Sequence, residues 1–490
     1  YKYNNMSVTS LAPPALWKHF AALNAVPRPS KHEERVIAFM QEYGKRLGLP
    51  TYTDEVGNVI IKKPASAGME NRKTIVLQSH LDMVHQKNAD TNFDFSSEGI
   101  RMMVQDDWVV ADGTTLGADN GIGVAAIMAL LESTDIPHPA LEALFTIDEE
   151  TGMTGAMGLK GGLLEGAILL NLDTEDDDEL TIGCAGGIDI TATRTYQEDA
   201  APAHYTYYTI TVKGLTGGHS GMDIHRGRGN ANKIMNRLLL GLEEAVCIRI
   251  NSVDGGGLRN AIPRESKAIV GVENSRAAEL EQWMVEQASV LHAEYGETDP
   301  DIKTTATKTD APQKVWEAGF QSAILKALYA CPSGIYRMSP AIPDLVQTSN
   351  NLARVSIENG AAKVLCLCRS SVDTEKMDMA KAISSALELG GCTVTFDGGY
   401  PGWTPAPHSD IVHIMSDLYK EMFQDTPHVN ACHAGLECGI LGTNYPHIEM
   451  ISFGPNIRGA HSPDEKVQIS SVQKFWSYLL ETLKRIPVAG

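Results

Sequence analysis

Hydrophobic and polar positions in the first 180 residues alternate between two patterns. Helical apolar spacing predicts helices at 30–47 and 121–133, the first of them opened by a Ser30 cap with a glutamate three positions later. Apolar runs of strand length predict strands at 58–63 and 74–80, and buried strands at 141–147 and 167–173. Strands that alternate with helices are typical of an α/β domain with a mostly parallel central sheet flanked by helices.

The pattern changes between two glycine-rich breaks, at 183–189 and 398–403. Strand-like runs with alternating polarity follow the first break, and helical stretches separate them, so we expect an inserted α+β domain here. The strands are predicted at 205–214, 364–371 and 392–403, and the helices near 228–245, 276–294 and 376–389.

After the second break the α/β pattern resumes, with a strand predicted at 447–454 and a closing helix at 465–485. A chain of 490 residues is too long for one ordinary hydrophobic core, which also favours two domains. We therefore expect a discontinuous α/β domain over 6–186 and 402–490, and an inserted α+β domain over 187–401.

Composition and charge exclude several classes of protein. The formal net charge of −20 disfavours a nucleic-acid partner, because phosphate backbones are bound through basic surfaces. No apolar run approaches the length of about 18 residues that a membrane-spanning helix needs, and the N-terminal residues lack a signal-peptide pattern. The eight cysteines form neither a CxxC pair nor a disulfide framework, which favours reduced thiols in a cytoplasmic protein.

Polar side chains collect just after the apolar runs of the α/β part. In open α/β sheets, ligands bind outside the carboxyl ends of the strands, so this placement indicates a site. The residues are His80, Asp82, Asp119, Glu149, Glu150, Asp173 and, in a later loop, His461.

Taken one at a time, these residues allow ordinary explanations as well. The spacing of His80 and Asp82 lets the carboxylate orient the imidazole, but a histidine beside a surface aspartate is equally common. Asp119 suits a helix cap as well as a ligand. Glu149 and Glu150 would face opposite directions on an extended segment, which suggests different roles, whereas the alternative is a solvent-facing acidic turn. Apart from Asp173, the acidic run at 173–179 is interpreted as a solvated loop.

Together, two imidazoles and three or four carboxylates supply enough ligands for two metal ions bridged by one carboxylate. Mixed nitrogen and oxygen ligands suit two Zn²⁺ ions, with Mn²⁺ or Co²⁺ as substitutes. A two-metal site activates water and polarises a carbonyl group, so the expected chemistry is hydrolysis.

The strings LQSHLDMV, TTLGADNGIG, DEETGMTGA, NLDTED and CAGG make the sequence closely similar to the dizinc aminoacylase and carboxypeptidase-G-like metallopeptidase family. GGHSGMDIHRGRGNANK, LRNAIPRE, HAGLECGI and GPNIRGAHSPDE extend the resemblance over nearly the whole chain from Met6 onward, most narrowly to bacterial enzymes that hydrolyse Xaa-His dipeptides.

This resemblance implies roles for the residues of the α/β domain. It implies that His80 and Asp173 bind one zinc ion, that Glu150 and His461 bind the other, and that Asp119 bridges them through a segment whose bond to Asn120 is cis. By the same resemblance, the two residues with catalytic roles beside the metals are Asp82, which would orient His80, and Glu149, which would be the general base.

The resemblance also implies that the inserted domain is a lid with its own functional residues. His219 would stabilise the oxyanion, Asn260 and Arg369 would hold the substrate, and Gly435 would contact it through the backbone. Without the resemblance, His219 is a loop histidine, Asn260 a turn residue and Arg369 a member of a surface ion pair.

The implied activity is hydrolysis of a small dipeptide of the Xaa-His type, including β-alanyl-histidine, by zinc-activated water with a glutamate base. A related dizinc N-acyl amino-acid deacylase or tripeptidase would share the same core. A non-catalytic metal-binding scaffold would be expected to lack the base, which is present as Glu149. The family also implies a homodimer, and composition and charge favour a cytoplasmic protein without a nucleic-acid or membrane partner.

Overall fold

A computed structural model describes residues 7–490, so Met6, where the expected first domain begins, lies outside the described residues. The chain divides into two compact units. Unit 1 contains the described residues up to Gly183 together with Pro405–Ala431 and Glu437–Gly490, and unit 2 contains Cys184–Thr404 and Cys432–Leu436.

The short segment Cys432–Leu436 was expected in the first domain, but it belongs to unit 2. The physical reason is local pairing. The backbone N–H of Ala185 donates to the carbonyls of Cys432 and Ala434, each at 3.1 Å. A further hydrogen bond joins His433 Nε2 and Ser349 Oγ at 2.8 Å.

The helices and strands of residues 7–490 follow the predicted alternation of patterns in each unit. The helices are α1 (Pro14–Asn24), α2 (Glu34–Arg46), α3 (Ala118–Glu132), α4 (Thr154–Gly158), α5 (Ala231–Val246), α6 (Ala277–Tyr295), α7 (Ala318–Ala330), α8 (Asp373–Leu389), α9 (Asp410–Phe423), α10 (Glu437–Asn444) and α11 (Ile469–Lys484). The strands are β1 (Thr51–Thr53), β2 (Val59–Lys63), β3 (Ile75–His80), β4 (Met102–Gln105), β5 (Trp108–Ala111), β6 (Leu141–Thr146), β7 (Ile168–Asn171), β8 (Glu179–Cys184), β9 (Gly186–Thr195), β10 (Glu198–Ala200), β11 (Tyr205–Lys213), β12 (Gly218–His219), β13 (Arg249–Gly256), β14 (Ala261–Ile262), β15 (Ser266–Glu273), β16 (Lys303–Thr309), β17 (Lys314–Trp316), β18 (Gly334–Met338), β19 (Val346–Glu358), β20 (Ala361–Ser370), β21 (Thr393–Tyr400), β22 (His428–Cys432), β23 (Glu449–Ser452), β24 (Ile457–Arg458) and β25 (Lys466–Gln468).

Unit 1 is built around an eight-stranded sheet with the order β1-β2-β6-β3-β7-β23-β8-β22. Its central strands β6, β3, β7 and β23 run parallel, whereas the pairs β1–β2, β2–β6 and β23–β8 are antiparallel. All residues of β3, β6 and β7 are buried, as expected for parallel strands that are covered on both faces. The expected α/β fold is confirmed, and the parallel arrangement is confined to the centre of the sheet.

Helix α2 in unit 1 begins later than its pattern predicted. The expected cap, Ser30, does not cap it, because the Ser30 hydroxyl donates to Asp82 Oδ2 at 2.6 Å. The helix begins at Glu34 and buries Val36, Met40 and Tyr43, which recur at the spacing of one helical face. This face packs into unit 1, and Tyr43 adds a hydrogen bond to the carbonyl of Met128 in α3 at 2.6 Å.

Unit 2 contains an antiparallel sheet with the order β16-β11-β15-β13-β19-β20-β9-β21, and β18 pairs with β19. Apolar residues of these strands form one core with helices α5 to α8, centred on buried side chains such as Tyr208, Leu238, Phe320 and Ile383. Segregated strands and helices of this kind make an α+β unit. Within residues 7–490, the search for membrane spans finds no helix that combines the necessary length and apolar character.

Candidate active site

Five polar residues of unit 1 meet at the carboxyl ends of its central strands. His80 is the last residue of β3, and its Nε2 atom is the common point of the group. Its distances to carboxylate oxygens are 3.1 Å for Asp119 Oδ1, 3.6 Å for Asp173 Oδ1, and 3.8 Å for both Glu149 Oε2 and Glu150 Oε1. The parallel strands therefore bring together residues that are up to about 90 positions apart in the sequence.

Asp119 lies between the two histidines. Its Oδ1 faces His80, and its Oδ2 lies 3.2 Å from His461 Nε2. His461 Nε2 is also 3.1 Å from Glu150 Oε2. Asp119 has non-helical dihedral angles at the start of α3, and its bond to Asn120 is cis, as the sequence resemblance implied.

Hydrogen bonds to Asp82 fix the orientation of the His80 ring. His80 Nδ1 lies 2.9 Å from the carbonyl of Asp82 and 3.2 Å from its Oδ1. Both partners of Nδ1 are acceptors, so Nδ1 carries a proton and Nε2 is the ring nitrogen that would bind a metal ion. A metal-binding histidine usually has this arrangement.

Glu149 and Glu150 lie in a turn after β6, so the expectation of an extended segment with opposite side-chain directions is wrong. Their backbone N–H groups donate to Asp82 Oδ1 at 3.0 Å and to Asp82 Oδ2 at 3.2 Å. Asp82 thus accepts hydrogen bonds both from the backbone of this turn and from the ring of His80. Both glutamate side chains point at the cluster, but they belong to different candidate ligand groups. These groups are His80, Glu149 and Asp173, and His80, Asp119 and Glu150.

A third acidic group of buried carboxylates, Glu33, Asp82 and Asp148, lies behind the turn. Its oxygens already accept hydrogen bonds from the chain. Asp148 accepts from the hydroxyls of Thr151 and Thr154, and Glu33 Oε1 accepts the N–H of Asp148 at 3.0 Å. This group supports the turn, and it gives the buried Asp148 a structural role that the sequence did not reveal.

The charges of the cluster show why it fits metal ions. Burial raises the pKa of Glu149 and of Asp173 well above their ordinary values, and neighbouring carboxylates raise both further. Hydrogen bonds to Asp119 and Glu150 raise the pKa of His461 to about 11. The buried Glu150 Oε1 has no hydrogen-bond partner. An unpartnered carboxylate oxygen among crowded carboxyl groups and two imidazoles is a ligand set whose oxygens and nitrogens divalent ions would bind.

Two more carboxyl groups lie near the cluster and were not singled out from the sequence, the buried Glu437 and the partly buried Glu175. Glu437 accepts hydrogen bonds from Gln78 and Thr146, each at 3.0 Å, and burial raises its pKa to about 7. Burial likewise raises the pKa of Glu175 to about 8, so the acidic run is not simply a solvated loop. Asp177 in the same run pairs with Lys474 at 3.1 Å. Both lie within the quoted strings NLDTED and HAGLECGI, but neither directly ends an apolar run, so their burial is revealed only by the fold.

Unit 2 fixes the tautomer of His219. The N–H groups of Gly221 and Met222 both donate to His219 Nδ1 at 3.0 Å, so this nitrogen is unprotonated. Burial and the charge of Arg369 lower the pKa of His219, which favours the neutral ring. The proton of the neutral imidazole is therefore on Nε2, which is available as a hydrogen-bond donor.

Arg369 on β20 is a buried cation in unit 2, with 4% of its surface exposed. Its Nε and Nη2 atoms donate to Ser220 Oγ at 3.3 and 3.2 Å, and Nη1 donates to the hydroxyl of Tyr400 at 3.1 Å. These partners are neutral, and no carboxylate of the described residues lies within ion-pair distance of the guanidinium. A buried charge without a counter-ion favours binding of an anionic group.

Asn260 and Gly435 also belong to unit 2. The carbonyl of Asn260 accepts the N–H of Ser220 at 2.8 Å, which links it to the His219 turn. Gly435 lies in the segment Cys432–Leu436. In the same segment, the carbonyl oxygen of His433 approaches Gly221 so closely that a Cβ added to Gly221 would lie 2.1 Å from it. The four residues to which the resemblance gives substrate roles, His219, Asn260, Arg369 and Gly435, therefore all belong to unit 2.

Residues 76–485 match the family model described as Peptidase family M20/M25/M40, and the chain belongs to this family. It is 41% identical over 480 residues to the cytosol non-specific dipeptidase of Escherichia coli, covering 98% of this chain and 99% of that protein. The crystal structure of aminoacylhistidine dipeptidase from Vibrio alginolyticus is 43% identical, with a TM-score of 0.96 over 99% of each chain. A tripeptidase structure from Staphylococcus aureus, 16% identical, has a TM-score of 0.55 over 97% of this chain and 99% of that chain, and shows only the shared fold. The expected metallopeptidase family is confirmed, and with it the narrower likeness to aminoacyl-histidine dipeptidases.

Proposed function

We propose that this protein is a metal-dependent dipeptidase that hydrolyses Xaa-His dipeptides at a centre of two zinc ions. The observation that supports this most directly is Asp119, whose two carboxylate oxygens separately approach His80 and His461. His80 and Asp173 would hold one ion, Glu150 and His461 the other, and Asp119 would bridge them. When bound, the ions supply Lewis acidity that activates water and polarises a carbonyl group.

Glu149 is proposed as the general base. Its carboxylate is near the ligand cluster, and the turn that presents it is held by Asp82. Burial raises the pKa of Glu149, which makes its carboxylate a stronger base toward the attacking water, and the proton that it accepts would then pass to the leaving amine. Asp82 has a positioning role, because it orients both His80 and this turn.

The residues of unit 2 are proposed to bind the substrate. His219 Nε2–H would donate to the developing oxyanion, since its Nδ1 is occupied by two backbone donors. Arg369 would bind the substrate's C-terminal carboxylate, because it is buried without a counter-ion. Asn260 would hold the substrate and Gly435 would contact it through its backbone. In this proposal unit 2 is the inserted lid domain and unit 1 the catalytic domain.

The substrate is proposed to be a free dipeptide rather than a longer peptide. Relatives that resemble the chain over nearly its full length are called a cytosol non-specific dipeptidase and an aminoacylhistidine dipeptidase. From the family resemblance we also propose a cytoplasmic homodimer, and from the mixed nitrogen and oxygen ligands that Mn²⁺ or Co²⁺ can substitute for zinc.

A substrate panel tests this function. We expect the zinc-loaded protein to hydrolyse an Xaa-His dipeptide and β-alanyl-histidine at rates well above those for a tripeptide or an N-acetyl amino acid. The measurement is the release of free histidine or amino acid for each substrate at equal concentration. A preference for the tripeptide or the N-acetyl amino acid would instead favour the tripeptidase or deacylase.

A further inference from the structure

Three candidate ligands of unit 1 lie in three separate segments of the chain, and no single helix or strand contains more than one of them. His80 ends β3, Asp119 occupies a non-helical position at the start of α3, and His461 lies in a loop with a positive φ of 71°. The distance between two ligand side chains depends on how their backbones are held. Some other contact must therefore fix these three segments relative to one another.

Glu465 joins two of the segments. It lies four residues after His461, and only 3% of its surface is exposed. Its Oε1 accepts the N–H groups of Leu116 and Gly117 at 2.8 and 2.9 Å, and its Oε2 accepts the N–H of Asp119 at 3.1 Å. One carboxylate from the His461 loop thus binds the backbone N–H groups of Leu116, Gly117 and Asp119.

Arg28 joins the same backbone to the third segment. The side chain is 1% exposed, and its Nη1 donates to the carbonyl of Leu81 at 3.0 Å, next to His80. Its Nη2 donates to the carbonyl of Gly117 at 2.8 Å. A Cβ at Gly117, whose φ is 77°, would lie 2.6 Å from this nitrogen, so a glycine is needed for the close approach.

We propose that Glu465 and Arg28 are a positioning pair that sets the separation of Asp119, His461 and His80 and thereby the metal affinity of the centre. Neither side chain is a candidate ligand, and both act on backbone groups of the segments that present ligands. This inference rests on the proposed two-metal function. It assigns to Glu465 and Arg28 an indirect role, in which they affect metal binding by positioning the ligands. Supporting residues of this kind typically change metal affinity by about 10- to 100-fold when replaced.

The variant Glu465→Gln tests the proposal, and Glu142→Gln is its matched control. Glu142 is also 3% exposed in unit 1, and it likewise accepts backbone N–H groups, those of Glu165 and Gly166 at 2.6–3.0 Å. These donors precede β7 and are not next to a candidate ligand. Each variant replaces a buried carboxylate that accepts backbone N–H groups, so a general loss of stability would affect both proteins. Glu142 also pairs with Lys62 Nζ at 3.1 Å, so its replacement should cost at least as much stability.

Zinc affinity of the metal-free proteins is measured by competition with a chromophoric chelator. We expect Glu465→Gln to bind zinc about 10- to 100-fold more weakly than the wild type, and Glu142→Gln to bind it as the wild type does. The visible absorption spectrum of the Co²⁺-loaded protein should change only in Glu465→Gln, because the ligand geometry changes only there. If Glu465→Gln does not fold, Glu465→Asp replaces it, with the same expectation.

The possible outcomes separate this proposal from the proposed function. One outcome would overturn the positioning role alone. In it, the wild type binds two zinc ions, and the Glu465 variant has the same zinc affinity and the same Co²⁺ spectrum as Glu142→Gln. A wild-type protein that binds no zinc would overturn the two-metal function, and the positioning role with it. Unfolding of the metal-free variants in urea shows whether the two substitutions cost similar stability.

Discussion

Glu149→Gln is expected to lower kcat for an Xaa-His dipeptide by about 10²- to 10⁴-fold, the usual contribution of a positioned general base. The amide keeps the shape and hydrogen-bonding capacity of the side chain, but it cannot accept the proton of the attacking water. Because the proposed ligands His80, Asp119, Glu150, Asp173 and His461 remain, the variant should still bind two zinc ions. Steady-state kinetics and metal analysis of the same sample measure both quantities.

The control for this variant is Glu179→Gln in unit 1. Burial also raises the pKa of Glu179, but its carboxyl group bonds to Asn430 and not to the candidate ligands. We expect this control to keep wild-type kcat. A Glu149→Gln protein that retains turnover within a few-fold of the wild type, with its zinc bound, would show that another group is the base.

Arg369→Met is expected to lower kcat/KM for a dipeptide by about 30- to 4,000-fold, because removing one partner of a buried charge pair costs about 2–5 kcal/mol. The same variant should act on the corresponding dipeptide amide as the wild type does, since that substrate lacks the carboxylate. The comparison of kcat/KM for the acid and the amide in both proteins isolates the interaction.

Arg354→Met is the matched control for this prediction. Arg354 lies in the same sheet of unit 2, but its guanidinium pairs with Asp254 at 2.6 Å within the chain. It should leave the preference for the acid over the amide unchanged. If Arg369→Met also kept that preference, Arg369 would not be the carboxylate-binding residue.

Patterns along the sequence predicted the part of the site that is set by local structure. The apolar runs that become β3, β6 and β7 end beside His80, Glu149 and Asp173, and the parallel centre of the sheet brings these ends together. The α/β and α+β characters of the two units were predictable for the same reason, because each strand and helix shows its own period.

Long-range contacts explain what the sequence did not predict. The Ser30 hydroxyl is bonded to Asp82, 52 positions away, and is therefore unavailable as a helix cap. The turn at Glu149 and Glu150 forms because Asp82 accepts their backbone N–H groups. The hydrophobic pattern around Ser30, Glu149 and Glu150 does not predict these hydrogen bonds to Asp82, because they depend on which strands become neighbours in the folded sheet.

The residues of unit 2 were predictable only through resemblance. Arg369 occupies a strand whose pattern gives no sign of function, and its significance comes from burial without a carboxylate partner. His219 lies in a two-residue strand, and its tautomer depends on a turn back to Gly221 and Met222. Burial and hydrogen-bond partners of this kind appear only once the chain is folded.

The central claim is that hydrolysis needs two metal ions held by the cluster around Asp119. Its most direct test is to add zinc stepwise to the metal-free protein and to measure the initial rate for an Xaa-His dipeptide at each step. We predict no hydrolysis without zinc and a rate that reaches its maximum when two ions are bound per chain. Full hydrolysis by the metal-free protein, or none at any zinc content, would contradict the claim.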